Sequence, residues 1–537
     1  MDLASAMDLW RTLLGDANVL AAETAMRVYG PDTGASRRTL AGALRIRAAA
    51  SLPEVMRIAT RCQVSVYPIS TGNNWGYGGA LPARDGCVLL DLSSLQMILN
   101  FDAELGVVTL EPGVTQQMLA DFLQAGGHPF LVPVTGAGPH CSVVGNALER
   151  GYGITPHADH FAAVTDLHAV LADGSVYHSA LHEAGGAELA RLFKWGIGPY
   201  SVGLFSQSGF GIVTRMSIVL ARRPECTKAC LFQLADDALL EPAVLAVRAL
   251  LGRLPGVLGG VNLMNRHRIL AMTVAAPQTG VHGRISPEWI EQTAQQNQVA
   301  PWTGFASLYG TPRVVDAAQR DMRQALRGIA SRILFVTPER AQTLQRLAGH
   351  VPGKMGQRLQ RMTHTLSRAL ELVAGQPNET ALALAYWRNP KTPPAQQPRN
   401  PARDGCGLLW YAPLVPMRAP RVRAYVDMVH RLTERHGLEP LITLTSLNDR
   451  LFDSTVPLLF DRQQPAAVAA AHSCHHALLE EGRAQGWFPY RVGVDHMPWL
   501  NALQTDAKAF HTRLQRGVDP HGLVAPGRYS QAAPNGE

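Results

Sequence analysis

Three glycine-rich tracts hold most of the residues whose types and spacing suit ligand chemistry. The first, PISTGNNWGYGGA, spans residues 68–80, and a strand-like run feeds its loop of Ser70, Thr71, Gly72, Asn73 and Asn74. Such a loop can aim several backbone N–H groups at one point, which makes an anion nest suited to a pyrophosphate. No GK[ST] follows, so it is not a P-loop, and it lacks the GxGxxG dinucleotide fingerprint. Alone it reads equally well as a cluster of turns. The second tract, CSVVGNALERGYGITPHADH, spans 141–160. Gly145 and Asn146 form a tight turn, and Gly151 and Gly153 are expected to let backbone approach a flat ligand closely. The third, residues 193–216, places Gly209 and Gly211 just ahead of a strand. Three such tracts separated by short strands suggest one extended ligand lying along all of them.

The surrounding chain must position these loops. It has 537 residues, of which 46% are hydrophobic and 17% charged, an ordinary globular balance that excludes a disordered or fibrous chain. The net charge of +7 comes from arginines scattered along the sequence, so a soluble basic surface fits better than nucleic-acid binding. No apolar run approaches the roughly 18 residues of a membrane span. The start, MDLASAMDLWRTLL, lacks the basic region of a signal peptide. Seven cysteines without paired spacing argue for a reduced, cytoplasmic protein. Cys226 and Cys230 have no second pair to complete a zinc site. His475 and His476 are adjacent on an expected helix and face different sides, so no metal is expected.

The first third reads as α+β. A helix is expected over 36–63, with Pro53 opening its second half. Strands are expected at 64–69, 87–92, 97–101, 107–113, 166–172 and 211–220, with a helix at 115–125. After about Pro224 the elements lengthen. LFQLAD, ILAMTVA and RILFVT read as strands, and 240–254, 313–331, 338–350, 354–374, 419–436 and 465–485 as helices. Residues 389–404 form a proline-rich polar loop, read as a surface excursion because GLLWYAPLVP resumes the fold at once.

The order and spacing of PISTGNNWGYGGALP, LDLSSLQMIL, VTLEPGVT, SVVGNALERGYGITPHADHF, VLADGSVY, FKWGIGPYSVGLFSQSGFGIVTRM, WFPYRVG and DPHGLVAPGRYS resemble the vanillyl-alcohol oxidase and 4-cresol dehydrogenase branch of flavoproteins with the PCMH-type FAD-binding fold. The resemblance implies an FAD-binding domain over 1–225, an α/β cap domain over 226–487 that forms most of the substrate cavity, and a C-terminal segment, 488–537, returning to the FAD domain. It implies FAD held by Ser70, Thr71, Gly72, Asn73, Asn74, Tyr77, Ser142, Gly145, Asn146, Gly151, Gly153, Ile212, Val213 and Arg528. It also implies that Tyr77, Tyr490 and Arg491 hold a substrate phenol oxygen as phenolate. A guanidinium fork and two hydroxyls can share one anionic oxygen, and the charge pushed into the ring eases hydride loss from the para carbon. The bland alternatives are a core tyrosine at 490, an arginine touching only flavin at 491 and a loop packer at 77.

Two departures from that pattern matter. Where covalent members link flavin to a side chain, this chain has Leu408, with Cys406 two residues away, so noncovalent FAD is expected. Where vanillyl-alcohol oxidase has an aspartate beside the flavin, this chain has Ala137. Acid–base work could pass to His140, Asp495 or His496, while His157, Asp159 and His160 read as loop stabilisers. The reading is FAD-dependent oxidation of a phenolic or other aromatic small molecule, with O2 or another electron acceptor. Its rivals are a specialised-metabolism oxidase on a larger non-phenolic substrate, with Arg491 binding a carboxylate or carbonyl, and a flavin-binding protein without turnover. The family is often dimeric, which makes a homodimer the implied state.

Overall fold

The computed structural model describes residues 2–277, 283–350, 353–389, 397–503 and 506–530. Strands β1 (Val19–Ala21), β2 (Leu40–Arg45), β3 (Val66–Ile69) and β4 (Cys87–Asp91) form a four-stranded sheet in the order β1-β2-β4-β3. β2 and β3 both run parallel to β4, so both faces of the sheet must be covered and the strands read as apolar runs. Residues 36–63 are therefore not one helix. Leu40, Ala43 and Leu44 are buried in β2, and the helix is confined to Leu52–Cys62, with Pro53 in its first turn. A short apolar run cannot be assigned by periodicity alone, and pairing with β1 and β4 decided this one.

β5 (Ile98–Asp102), β6 (Val107–Leu110), β7 (Phe130–Leu131), β8 (Val164–Val170), β9 (Val176–Tyr177), β10 (Ile212–Val219) and β11 (Ala221–Arg222) follow. Five of them form an antiparallel sheet, β5-β6-β10-β8-β9, and β7 pairs β11. The intervening helix Gln116–Ala125 is capped by Thr115, whose hydroxyl accepts from the Met118 N–H at 3.2 Å.

The remaining strands build one large antiparallel sheet: β12 (Cys226–Leu234), β13 (Leu258–Asn265), β14 (Trp302–Gly310), β15 (Arg332–Val336), β16 (Cys406–Tyr411), β17 (Leu414–Pro416), β18 (Thr443–Ser446) and β19 (Leu451–Asp461). Its order is β15-β12-β14-β13-β18-β19-β16, with β17 also on β19. Helices Leu240–Arg253, Ala419–Arg435 and Pro465–Ala484 cover it, and Phe232, Trp302, Tyr411, Tyr425 and Phe452 fill the core between. ILAMTVA is helical, not extended: Asn265 accepts from the Arg268 N–H at 3.0 Å and caps the helix Arg266–Thr273. The strands β13, β14 and β19 fall in stretches that no sequence pattern singled out. Of the proline-rich loop, residues 390–396 lie outside the described residues.

The C-terminal segment crosses back to the first sheet. Val66 donates to the Leu523 carbonyl and accepts from the Ala525 N–H, each at 2.8 Å, and the Val494 N–H donates to the Tyr77 carbonyl at 3.0 Å. Its residues 531–537 lie outside the described part.

Candidate functional site

A deep cavity of about 400 Å³ runs between the glycine tracts and the large sheet, within the size range of ligand pockets. One wall is the loop 70–74 in full, with Ser142, Gly145, Asn146 and Gly151 beside it and Val213 and Arg528 further along. Gly72 has φ +69°, the left-handed conformation that turns successive N–H groups of a nest toward one point. The opposite wall comes from Leu408 and Trp410 on β16, Thr455 on β19 and Arg268. The loop and β16 are fitted to each other. Trp410 N–H donates to the Gly76 carbonyl at 3.2 Å, and any Cβ at Gly76 would stand 2.1 Å from the Trp410 ring.

Gly151 and Gly153 work differently from expectation. What forbids a side chain there is protein: the Asn146 Oδ1 at 2.0 Å from a Cβ at 151, and the Val134 carbonyl at 2.4 Å from one at 153. Gly151 still lines the cavity, whereas Gly153 and the core residue Ile212 stand behind its wall. Asn146 is held by His160, and Asp159 accepts from the Ala162 N–H at 2.9 Å, so this loop is pinned by its own polar residues. Burial pulls the His160 imidazole down to about 4, which keeps it neutral.

Tyr77, Tyr490 and Arg491 all line the cavity. The Arg491 guanidinium lies 4.1 Å from the Tyr77 ring centre, a cation–π contact. Its Nη2 donates to Asn74 Oδ1, and its Nε is 3.4 Å from Glu149 Oε2. Glu149 also pairs with Arg528, whose Nη1 donates to the Tyr67 hydroxyl at 2.7 Å. Thus Glu149 joins two arginines across the cavity wall. Tyr490 packs edge-on against Tyr152 with ring centres 5.6 Å apart, and its carbonyl accepts from Gln207 at 3.0 Å. Burial pushes both the Tyr77 and the Tyr490 hydroxyls well above the ordinary phenol range, so each remains a donor.

Asp453 on β19 does not line the cavity; it is 3% exposed, with Oδ1 buried and without a hydrogen-bond partner. Burial pushes its carboxyl up to about 7, and Arg491 pulls in the opposite direction. Its charge bears on Tyr77, Tyr490 and Tyr152. Arg268 is the second group that sequence reasoning passed over. It lines the cavity 5.6 Å from the Trp410 ring centre, and its Nε and Nη1 are buried without partners. Burial pulls it down to about 9, still cationic at neutral pH. The available signals were a lone acid inside the apolar run LFDSTVPLLF and a basic cluster, RHR, opening an apolar helix.

His140, Asp495 and His496 are absent from the cavity wall. His140 is exposed, and its carbonyl accepts from Asn73 at 3.0 Å. Asp495 accepts from the Ser36 hydroxyl at 2.8 Å and lies 3.6 Å from Arg38. His496 is buried against His475, ring centres 3.8 Å apart, and burial drives it far below the ordinary imidazole range. Ala137 does line the cavity, so no carboxylate stands at that point.

A cavity lined by the 70–74 loop, by Arg268, Arg491 and Arg528 and by the rings of Trp75, Tyr77, Tyr152, Trp410 and Tyr490 suits a dinucleotide-like cofactor with a flat ring, the site of a flavoprotein oxidoreductase. Residues 40–180 match the FAD binding domain family. Over 98% of its length and 97% of the relative's, the chain is 33% identical to 1'-carboxy-chondrochloren decarboxylase of Chondromyces crocatus. It is 27% identical to the 4-cresol dehydrogenase [hydroxylating] flavoprotein subunit of Pseudomonas putida, over 97% of this chain and 94% of that one. The crystal structure of p-cresol methylhydroxylase with substrate bound superposes with a TM-score of 0.86 at 25% identity, covering 99% of this chain and 98% of that one. The protein belongs to the FAD-dependent oxidoreductase family of p-cresol methylhydroxylase type. Among the described residues no helix is long and apolar enough to cross a membrane.

Proposed function

We propose that this protein oxidises a phenolic aromatic small molecule at carbon, in the cavity that residues 226–487 cap over the FAD-binding residues. The presence of Tyr77, Tyr490 and Arg491 together in the cavity wall, with Arg491 against the Tyr77 ring, carries this reading. Bound FAD, held by residues 70–74, Ser142, Gly145, Asn146, Gly151 and Arg528, would accept a hydride from the substrate carbon. The tyrosine hydroxyls donate to the substrate oxygen, the guanidinium offsets its charge, and the buried Asp453 carboxyl acts on both tyrosines through its charge, which changes near neutral pH. His140, Asp495 and His496 are not part of this proposal, because none of them lines the cavity.

FAD would be held noncovalently. Leu408 lines the cavity, while the Cys406 thiol is fully buried, accepts from Asn389 at 3.3 Å and is pushed up to about 12 by burial. Acid precipitation should therefore leave the flavin in the supernatant. A yellow pellet that stays fluorescent after washing would overturn this.

A second reading, oxidation coupled to loss of a carboxylate, is favoured by Arg268, a buried cation whose Nε and Nη1 lack partners. It agrees with the relative that is a decarboxylase. In it, a carbon next to the carboxylate-bearing carbon gives up a hydride. The C–CO2 bond then breaks, its electron pair forms the new C=C bond, and CO2 leaves.

The two readings separate in anaerobic flavin bleaching by 4-alkylphenols with and without a side-chain carboxylate. Bleaching by both kinds supports the first reading, and a mass loss of CO2 supports the second. Bleaching by no phenol would favour the larger non-phenolic substrate. Arg268→Met should raise the half-saturating concentration of the carboxylated phenol roughly 10- to 150-fold, the worth of a hydrogen bond to a charged group. The neutral phenol should be unaffected, and equal effects on both would remove Arg268 from carboxylate binding.

A further inference from the structure

We infer a second site, away from the cavity: a four-ligand site for a divalent cation of the Zn2+ class, made by Asp166, His168, His178 and His182. None of the four lines the cavity.

The strand period places Asp166 and His168 two apart on one face of β8. β8 pairs β9 antiparallel through Ala169 with Tyr177 and Val170 with Val176. The next residue out of β9, His178, therefore comes opposite His168, and their ring centres are 4.1 Å apart. The chain then turns into the short helix Ala180–Glu183, which brings His182 back one turn later. Its ring centre lies 4.6 Å from that of His168 and 5.1 Å from that of His178. One ring nitrogen from each histidine lies within 4.8 Å of the others. Asp166 Oδ2 stands beside them, 3.6 Å from His168 Nε2 and 3.9 Å from His182 Nδ1.

Buried polar atoms are normally paired, and these are not. Asp166 is 3% exposed, and its Oδ1 has no hydrogen-bond partner. The Nδ1 atoms of His178 and His182 are also buried without one. A cation bound at the two Nδ1 atoms would satisfy both, and its charge would offset that of the Asp166 carboxylate beside them. Three imidazoles and one carboxylate are a donor set that suits Zn2+ and fill a tetrahedral shell. With bonds of about 2.0–2.1 Å the donors would stand about 3.3 Å apart, so the cluster must draw in slightly around the ion. Two charged groups bear on His178: Glu183, next to His182, and Arg215, opposite His168 on β10. Both side chains are exposed, which screens them. The partly exposed His182 leaves a way in for the ion. A closed shell leaves no open position for catalysis, so the ion would be structural, holding the helices Ala180–Glu183 and Ala187–Leu192 against the five-stranded sheet.

The test uses untagged holoenzyme, stripped with EDTA and titrated with ZnCl2 alone. About one zinc per chain should survive gel filtration, and Tm should rise with zinc at unchanged flavin content. The double variant His178→Ala/His182→Ala should lose both the bound zinc and the zinc-dependent Tm shift. Should that variant not fold, Asp166→Asn, which keeps the side-chain shape, should weaken zinc binding at least tenfold. Wild-type protein holding no stoichiometric zinc, or variants binding it as tightly as wild type, would overturn the site.

Discussion

Asp453→Asn should make the protein more stable above neutral pH and at the same time slow its turnover. The folded protein holds the Asp453 proton up to about pH 7, against an ordinary value of 3.8. Because the folded state binds that proton more tightly than the unfolded chain, the contribution to stability is complete below pH about 4. It is lost as pH rises through about 7, where the buried carboxyl must ionise in the folded protein too. A displacement of this size corresponds to on the order of 4 kcal/mol. Asparagine keeps the shape and carries no charge. The variant should therefore exceed the native protein in stability by a few kcal/mol at pH 8.5, and the difference should close toward pH 4. Urea midpoints at the two pH values measure this. A variant less stable at pH 8.5 would show that the carboxylate is well paired in the folded state. The functional half has its own readout: the native rate profile should carry a limb near pH 7 that the variant lacks. If the limb survives, the proton belongs to another group and Asp453 is structural.

The other large effect is expected at Arg491. Arg491→Met keeps roughly the volume and removes the charge beside Tyr77 and Glu149. Losing a charge-assisted bond to an anionic oxygen in a buried site costs on the order of 2–4 kcal/mol, or roughly 30- to 1000-fold in rate. Flavin content should stay near normal, because Arg528 keeps its pairing with Glu149. Loss of flavin instead would make Arg491 a cofactor ligand, acting through its bond to Asn74. The substitution also removes the cation that opposes the upward shift of Asp453, so the pH limb should move to higher pH. Tyr77→Phe deletes one hydroxyl and should be non-additive with Arg491→Met if both groups serve one substrate oxygen. Strict additivity would place Tyr77 elsewhere in the cavity.

The backbone-donating loops were legible in the sequence because their requirement is local. A nest needs small residues and a left-handed turn within a few positions, and residues 70–74 meet it with Gly72 at φ +69°. Flavin-family membership followed from eight such segments in order. Local patterning was weaker wherever an apolar run could be either element: pairing with β1 and β4 made 40–45 a strand, and the Asn265 cap made 266–273 a helix. The chemistry beyond the loops was decided by contacts distant in sequence. Asp495 and His496 follow the Tyr490–Arg491 pair, yet the 3-10 turn Val494–His496 delivers one to Ser36 and the other to His475. Glu149 gains its role from Arg491 and Arg528, more than 300 residues onward. Asp453 and Arg268 look like ordinary charges in the sequence. Burial without a partner gives them their significance, and burial is a property of the packed whole, not of any window along the chain.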